Sequence, residues 1–255
     1  MILFPDEKSN WLTEAVTVIG RDPDRSRESG VQVSAVLPPL YERYVKVLHG
    51  IEANFAYLEK PLSTEEETLV RFAKCQPLRL LLDKVRQRES TNISWCEIAT
   101  ALDLPYAPEL SFEWCLQRLE QGCWARYISG PCDGVLTPEE AAPLLATLKQ
   151  FTAPQPLTFR LAELSVPVIG TSVYQSGSFC DLLALIQEPG YRNLPEYWWP
   201  DDLSWCVVSD YDLTFTLVGG SSDLCEALLR NAQLECLEVT PGTRVDIYAP
   251  IPATL

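Results

Sequence analysis

The clearest alternation of apolar and polar positions lies between residues 203 and 218. Leu203, Trp205 and Val207 alternate with Ser204, Cys206 and Val208, then Leu213, Phe215 and Leu217 with Thr214, Thr216 and Val218. Each run has the period of two that a strand requires, and its β-branched and aromatic content suits a buried pleated surface. The pattern predicts two strands joined by a turn at Ser209–Asp212, where aspartate side chains accept from nearby backbone N–H groups. Gly219 and Gly220 end the second strand, Ser221 caps a helix over Asp223–Arg230, and Leu234–Val239 is a last strand. Upstream, Pro195 and Pro200 turn the residues before them away from helix, so Tyr197–Trp199 is an extended or turn segment.

The earlier chain reads differently. Ala15–Ile19 alternates as a strand, residues 20–30 are a polar loop, and Val31–Val36 is a second strand candidate. Leu37-Pro38-Pro39 starts a helix whose apolar positions are Leu40, Tyr44, Val47, Leu48 and Ile51. Ser63 and Thr64, each with Glu three residues on, predict another helix start. Leu78–Arg88 is amphipathic with a basic end that suits a helix C-terminus. Ser94…Glu97 opens a helix, Leu110–Gln121 is helical, and Trp124–Ser129 is a short strand. Thr137-Pro138-Glu139-Glu140 combines a cap, a first-turn proline and a reciprocal glutamate, leading into Ala141–Gln150. Ala153-Pro154-Gln155-Pro156 has linker composition; Leu157–Leu161, a Ser/Gly-rich loop at 172–178 and a helix over Cys180–Gln187 follow.

These elements give an α+β fold. The expected arrangement is a mostly helical lobe, 1–152, with a short N-terminal strand pair. A small antiparallel-sheet-plus-helix lobe, 157–255, follows it; one continuous domain is the alternative.

Charge adds a direction. The chain of 255 residues has a net charge of −15, and residues 161–255 hold thirteen acidic side chains against three arginines and no lysine. That half therefore carries −10 of the total. Phosphate contacts need Lys and Arg, so an acidic half argues against nucleic acid and against an anionic membrane surface, and for a basic protein partner. No apolar run has the length of a membrane span and the N-terminus lacks a secretory pattern, so the expected compartment is the cytoplasm. The nine cysteines form no CxxC pair, and Cys96, Cys115, Cys206, Cys225 and Cys236 sit among apolar residues, which predicts reduced structural thiols.

Three segments, YWWPDDLSWCVVSDYDLTFTLVGGSSDL, LPPLYERYVKVLH and ISWCEIATALDLPY, resemble parts of a group of uncharacterised bacterial proteins of similar length, marked by a YWWPxDxSWC-type motif. The resemblance covers about a third of the chain and is carried by Trp-rich stretches. It implies a bacterial, cytoplasmic origin and brings no activity with it.

Candidate chemistry is sparse. His49 is the one histidine, placed on the helix expected over 40–51, and the sequence has no HExxH, P-loop, GxGxxG or G-x-S-x-G. Asp210 and Asp212 form a DxD that could hold a hard cation, with Asp201 and Asp202 a strand-length upstream, at the other end of a hairpin strand. Tyr197, Trp198 and Trp199, with Asp201, Asp202, Asp210 and Asp212, are the candidate binding residues, since aromatics beside acids anchor interfaces and face cations. No catalytic residue, metal ligand or cofactor is assigned. The expected function is a non-catalytic module whose acidic half contacts a basic protein, of immunity or antitoxin type. The alternatives are a metal-assisted hydrolase or transferase using Asp210 and Asp212, or a small-molecule pocket lined by Tyr197, Trp198 and Trp205.

Overall fold

The computed structural model describes residues 2–4, 11–12, 30–56, 76–119, 124–125, 127–134, 136–161, 173–187, 195–210 and 212–252. The strand expected at Ala15–Ile19 and the helix expected behind Ser63 and Thr64 lie outside the described residues. In chain order the elements are β1 (Ile2–Phe4), α1 (Val33–Val36), β2 (Arg43–Leu48), β3 (Ile51–Ala53), α2 (Gln76–Gln87) and β4 (Asn92–Ile93). They continue with α3 (Trp95–Ala101), α4 (Phe112–Arg118), β5 (Ile128–Ser129), α5 (Pro138–Gln150), β6 (Leu157–Leu161) and β7 (Val173–Gly177). The last are α6 (Phe179–Gln187), β8 (Tyr197–Pro200), β9 (Cys206–Val208), β10 (Phe215–Gly220), α7 (Ser222–Leu229) and β11 (Cys236–Val239). Helices and antiparallel sheets make the chain α+β.

The chain forms two compact units, one from Met1–His49 and Cys132–Asp246, the other from Gly50–Pro131 and Ile247–Leu255. They do not divide at 153–156. That stretch lies inside the first unit, as a tight link from α5 to β6. The Thr152 hydroxyl donates to Leu148 O at 2.6 Å and accepts from the Trp205 indole N–H at 2.8 Å, and Gln155 Oε1 accepts from Asp202 N at 3.0 Å. Proline-rich polar composition marks a chain reversal as readily as a linker, and packing decides between them.

Among the described residues the first unit holds an eight-stranded sheet in the order β1-β7-β6-β8-β9-β10-β2-β11, with antiparallel neighbours throughout. The large sheet thus draws strands from both ends of the chain, where the sequence predicted a helical N-terminal lobe. β2 is the main departure, since residues 40–51 read as helical. Tyr44, Val45, Lys46, Val47 and Leu48 are all buried. An apolar run covered on both faces satisfies a helical spacing as easily as any other, and the β-branched Val45 and Val47 favour the strand. Val31–Val36, read as a strand, instead contains the short helix α1, and the loop expected at 172–178 is β7.

One sheet face packs on α5, α6 and α7. Val45, Val47, Phe159, Trp198, Val207 and Val218 meet Leu144, Leu148, Leu182, Leu224 and Leu228 there. α5 begins at the predicted capping box, with Thr137 and Glu140 each bonding the other's backbone N–H. α7 begins at Ser221, whose hydroxyl accepts from Leu224 N at 3.3 Å. The opposite face carries a register row, Leu237–Lys46–Leu217–Val208–Tyr197–Arg160–Tyr174, crossing seven strands. Second in that row, Lys46 is 1% exposed, with Nζ 4.9 Å from the Phe215 ring centroid.

The second unit holds a small sheet ordered β4-β3-β5 with α2, α3 and α4. Ser94 and Glu97 form the predicted capping box of α3, and Ser111 caps α4 through Trp114 N. Trp95 and Trp114 are fully buried, and the Trp114 indole donates to Ala249 O at 2.8 Å. That bond ties the last described segment into this unit.

Candidate functional site

Three segments of the first unit surround a groove of about 260 Å³ whose lining includes Trp11, Leu40, Tyr41, Glu42, Leu203 and Ser221. Each segment is fixed by its own hydrogen bonds.

The β8–β9 turn forms one wall. Asp201 N donates to Pro156 O at 3.2 Å, Leu203 N to Pro200 O at 2.9 Å, and Ser204 N to Asp202 Oδ1 at 2.9 Å. Burial opposes ionisation of Asp202, but the neighbouring Gln155 side chain and the bond from Ser204 N outweigh it, and the carboxyl is held below its ordinary value. The turn sets Leu203 at φ +54° with its side chain 36% exposed. A branched side chain in the left-handed region crowds its own carbonyl, at a cost of roughly 1–2 kcal/mol.

Leu40–Glu42 is the second wall. Leu40 N donates to Pro38 O at 2.9 Å, Tyr41 N to the Tyr44 hydroxyl at 2.9 Å, and that hydroxyl on to Pro38 O at 3.1 Å. These bonds hold Leu40 out in water at 65% exposure. The Tyr41 ring lies across Gly219, where a Cβ would stand 2.5 Å from Tyr41 Cδ2. Only a glycine allows that approach.

The third wall is the β10–α7 junction. Glu42 Oε2 accepts from Ser222 N at 2.8 Å, and this backbone bond lowers the Glu42 pKa. A first-turn N–H of α7 is thereby satisfied from a distant segment, with negative charge placed where the helix dipole favours it.

The candidate residues named from sequence separate into two groups. Tyr197, Trp198 and Trp199 are buried and form no surface. Along β8 they alternate, Trp198 packing edge-on to Trp205 at 5.5 Å and Trp199 to Trp11 at 5.3 Å. The Tyr197 hydroxyl donates to Val36 O at 2.7 Å. Both faces of β8 are covered, so the expected aromatic recognition surface and the pocket of Tyr197, Trp198 and Trp205 are core instead. The four aspartates stay at the surface end of the reading: Asp201, Asp202 and Asp212 are exposed and Asp210 is half-buried. They sit at opposite ends of β9, as the hairpin geometry implied. Asp210 Oδ1 accepts from Asp212 N at 2.9 Å, an Asx turn, and burial pushes the Asp210 carboxyl above its ordinary value. Among the described residues no group of three or more His, Cys, Asp or Glu side chains could hold a metal ion.

His49 follows β2 rather than lying on a helix, and is 1% exposed. Nδ1 lies 2.7 Å from Cys132 O and Nε2 3.0 Å from Thr216 Oγ1, which lies 2.6 Å from Ser209 Oγ. A carbonyl can only accept, so Nδ1 carries the proton and Nε2 accepts from Thr216. Of the seven described cysteines, all free thiols, Cys115, Cys206 and Cys225 are buried as expected, whereas Cys96 is exposed.

Sequence reading missed the groove because it placed Leu40, Tyr41 and Glu42 on a helix, away from Ser221 and Leu203. The Gly219-Gly220 pair was its one visible trace, read only as a strand end. The chain matches no protein-family model, no curated protein and no solved structure.

Proposed function

We propose that this chain is a non-catalytic protein-binding module of the cytoplasm, of immunity or antitoxin type, whose acidic C-terminal half holds a basic partner. One observation carries the reading. Asp202, Asp212 and Asp223 are exposed, while both arginines described in that half are paired within it, Arg230 with Glu226 and Arg244 with Asp246. Among the described residues of that half, then, the arginines answer other acids, and the negative charge of these three aspartates faces water; such a surface steers and selects a positively charged partner. Among the described residues no helix is long and apolar enough to cross a membrane.

A tagged pull-down from native cytoplasm, washed first at low and then at high salt, tests the reading. A stoichiometric basic protein released by salt is the expected result. A partnerless preparation at both salt concentrations refutes it.

A further inference from the structure

We infer that the groove between the β8–β9 turn and Leu40–Glu42 is the point at which such a partner docks, and that it takes one apolar side chain flanked by Lys or Arg. The inference rests on the acidic-surface reading above. Two apolar side chains, Leu40 at 65% and Leu203 at 36% exposure, line the groove. Leu203 sharpens the point. A residue at φ +54° is ordinarily Gly or Asn, and a leucine there carries backbone strain that its partial burial offsets only in part. An apolar contact with an occupant would cover the rest of the side chain.

Charge decides the occupant. Glu42 lines the groove, and Asp201, Asp202 and Asp223 lie exposed on the segments that form its walls. Arg43, next to Glu42, is paired with Glu238 at 2.7 Å. A purely apolar occupant would bring no counter-charge to Glu42, Asp202 and Asp223, and an acidic one would be repelled. A chain segment with an apolar residue between basic residues meets both demands. The walls are already held by the turn, Tyr44 and Glu42–Ser222 hydrogen bonds, so docking orders little of this protein.

The test uses the full chain and two labelled peptides, each a run of lysines interrupted once at its centre, by leucine in one and serine in the other. The expected result is about tenfold tighter binding of the leucine peptide, one apolar side chain's worth of discrimination. Leu40→Ser and Leu203→Asn should each abolish that preference, while Asp212→Asn, at the far end of β9, leaves it intact. Leu203→Asn suits the left-handed backbone, so loss of preference there is not loss of fold; thermal melts confirm it. Equal, salt-sensitive binding of both peptides, unchanged in the two leucine variants, overturns the groove and leaves the acidic-surface reading standing. No binding of either peptide at low salt overturns both.

Discussion

His49 Nε2 and the Thr216 hydroxyl lie 3.0 Å apart, joining residues 167 positions apart in sequence. With Nδ1 donating to Cys132 O, the imidazole is neutral, buried and engaged on both sides. Burial lowers its pKa from 6.5 to about 4, only partly countered by the Cys132 carbonyl. The unfolded chain takes up a proton on His49 below about pH 6.5 and the folded chain does not until about pH 4. Stability contributed by the neutral ring is therefore present above pH 6.5 and lost as pH falls toward 4. The expected slope is about 1.4 kcal/mol per pH unit within that window. Urea unfolding at a series of pH values measures it, and His49→Gln should remove that part of the slope.

Leu203 should prove replaceable with a gain. Leu203→Gly or Leu203→Asn relieves the φ +54° backbone and raises stability by about 1 kcal/mol, less what glycine loses through unfolded-chain entropy. Leu203→Val, branched at Cβ, should lower stability. The shift in the urea midpoint at constant m-value reads all three.

Gly219 should tolerate nothing larger. Gly219→Ala puts a methyl group 2.5 Å from Tyr41 Cδ2, and the Tyr41 ring has to move. The expected cost is about 1–3 kcal/mol. Because that ring lines the groove, the substitution also reduces the leucine-peptide preference.

The two capping boxes should each be worth a measurable amount. Thr137→Ala leaves Glu140 N without its cap at the start of α5, and Ser94→Ala does the same to Glu97 N in α3. Each should cost about 1 kcal/mol, and the corresponding Thr137→Ser should cost much less. Because α5 and α3 belong to different compact units, hydrogen exchange should show each loss in its own unit.

How far the sequence could be read depended on how local the cause was. Capping boxes at Ser94 and Thr137, the Ser221 cap and the Asx turn at Asp210 are decided within a few residues, and their signals were direct. β2 was not, because Tyr44–Leu48 is buried at every position, Lys46 included, and so shows no period of two; its burial on both faces comes from strands and helices far along the chain. The break at His49–Gly50 also falls beside an apolar run, with no compositional mark of a boundary, whereas 153–156 had the composition and lacked the role. Of the site, the acids on the β8–β9 and β9–β10 turns were visible as exposed polar groups. The neighbouring tryptophans gave no sign of which way they faced, since adjacent strand residues point apart and both sides of β8 are covered. The meeting of Glu42 with Ser222, 180 residues apart, is a tertiary fact with no local signal.

The position of β2 also fixes an order of events during synthesis. Its hydrogen-bonding neighbours are β10 and β11, so Tyr44–Leu48 leaves the ribosome well before either partner strand exists. At roughly 5–20 residues per second, the 167 residues between His49 and Thr216 correspond to roughly 10–30 s. For that interval an apolar strand with both edges open is a template for pairing with other nascent chains. Yield in a cell is then governed by how quickly translation delivers residues 215–239 and by what shields residues 43–48 meanwhile. Slowed elongation should send more of the protein into aggregates even though the finished fold is unchanged.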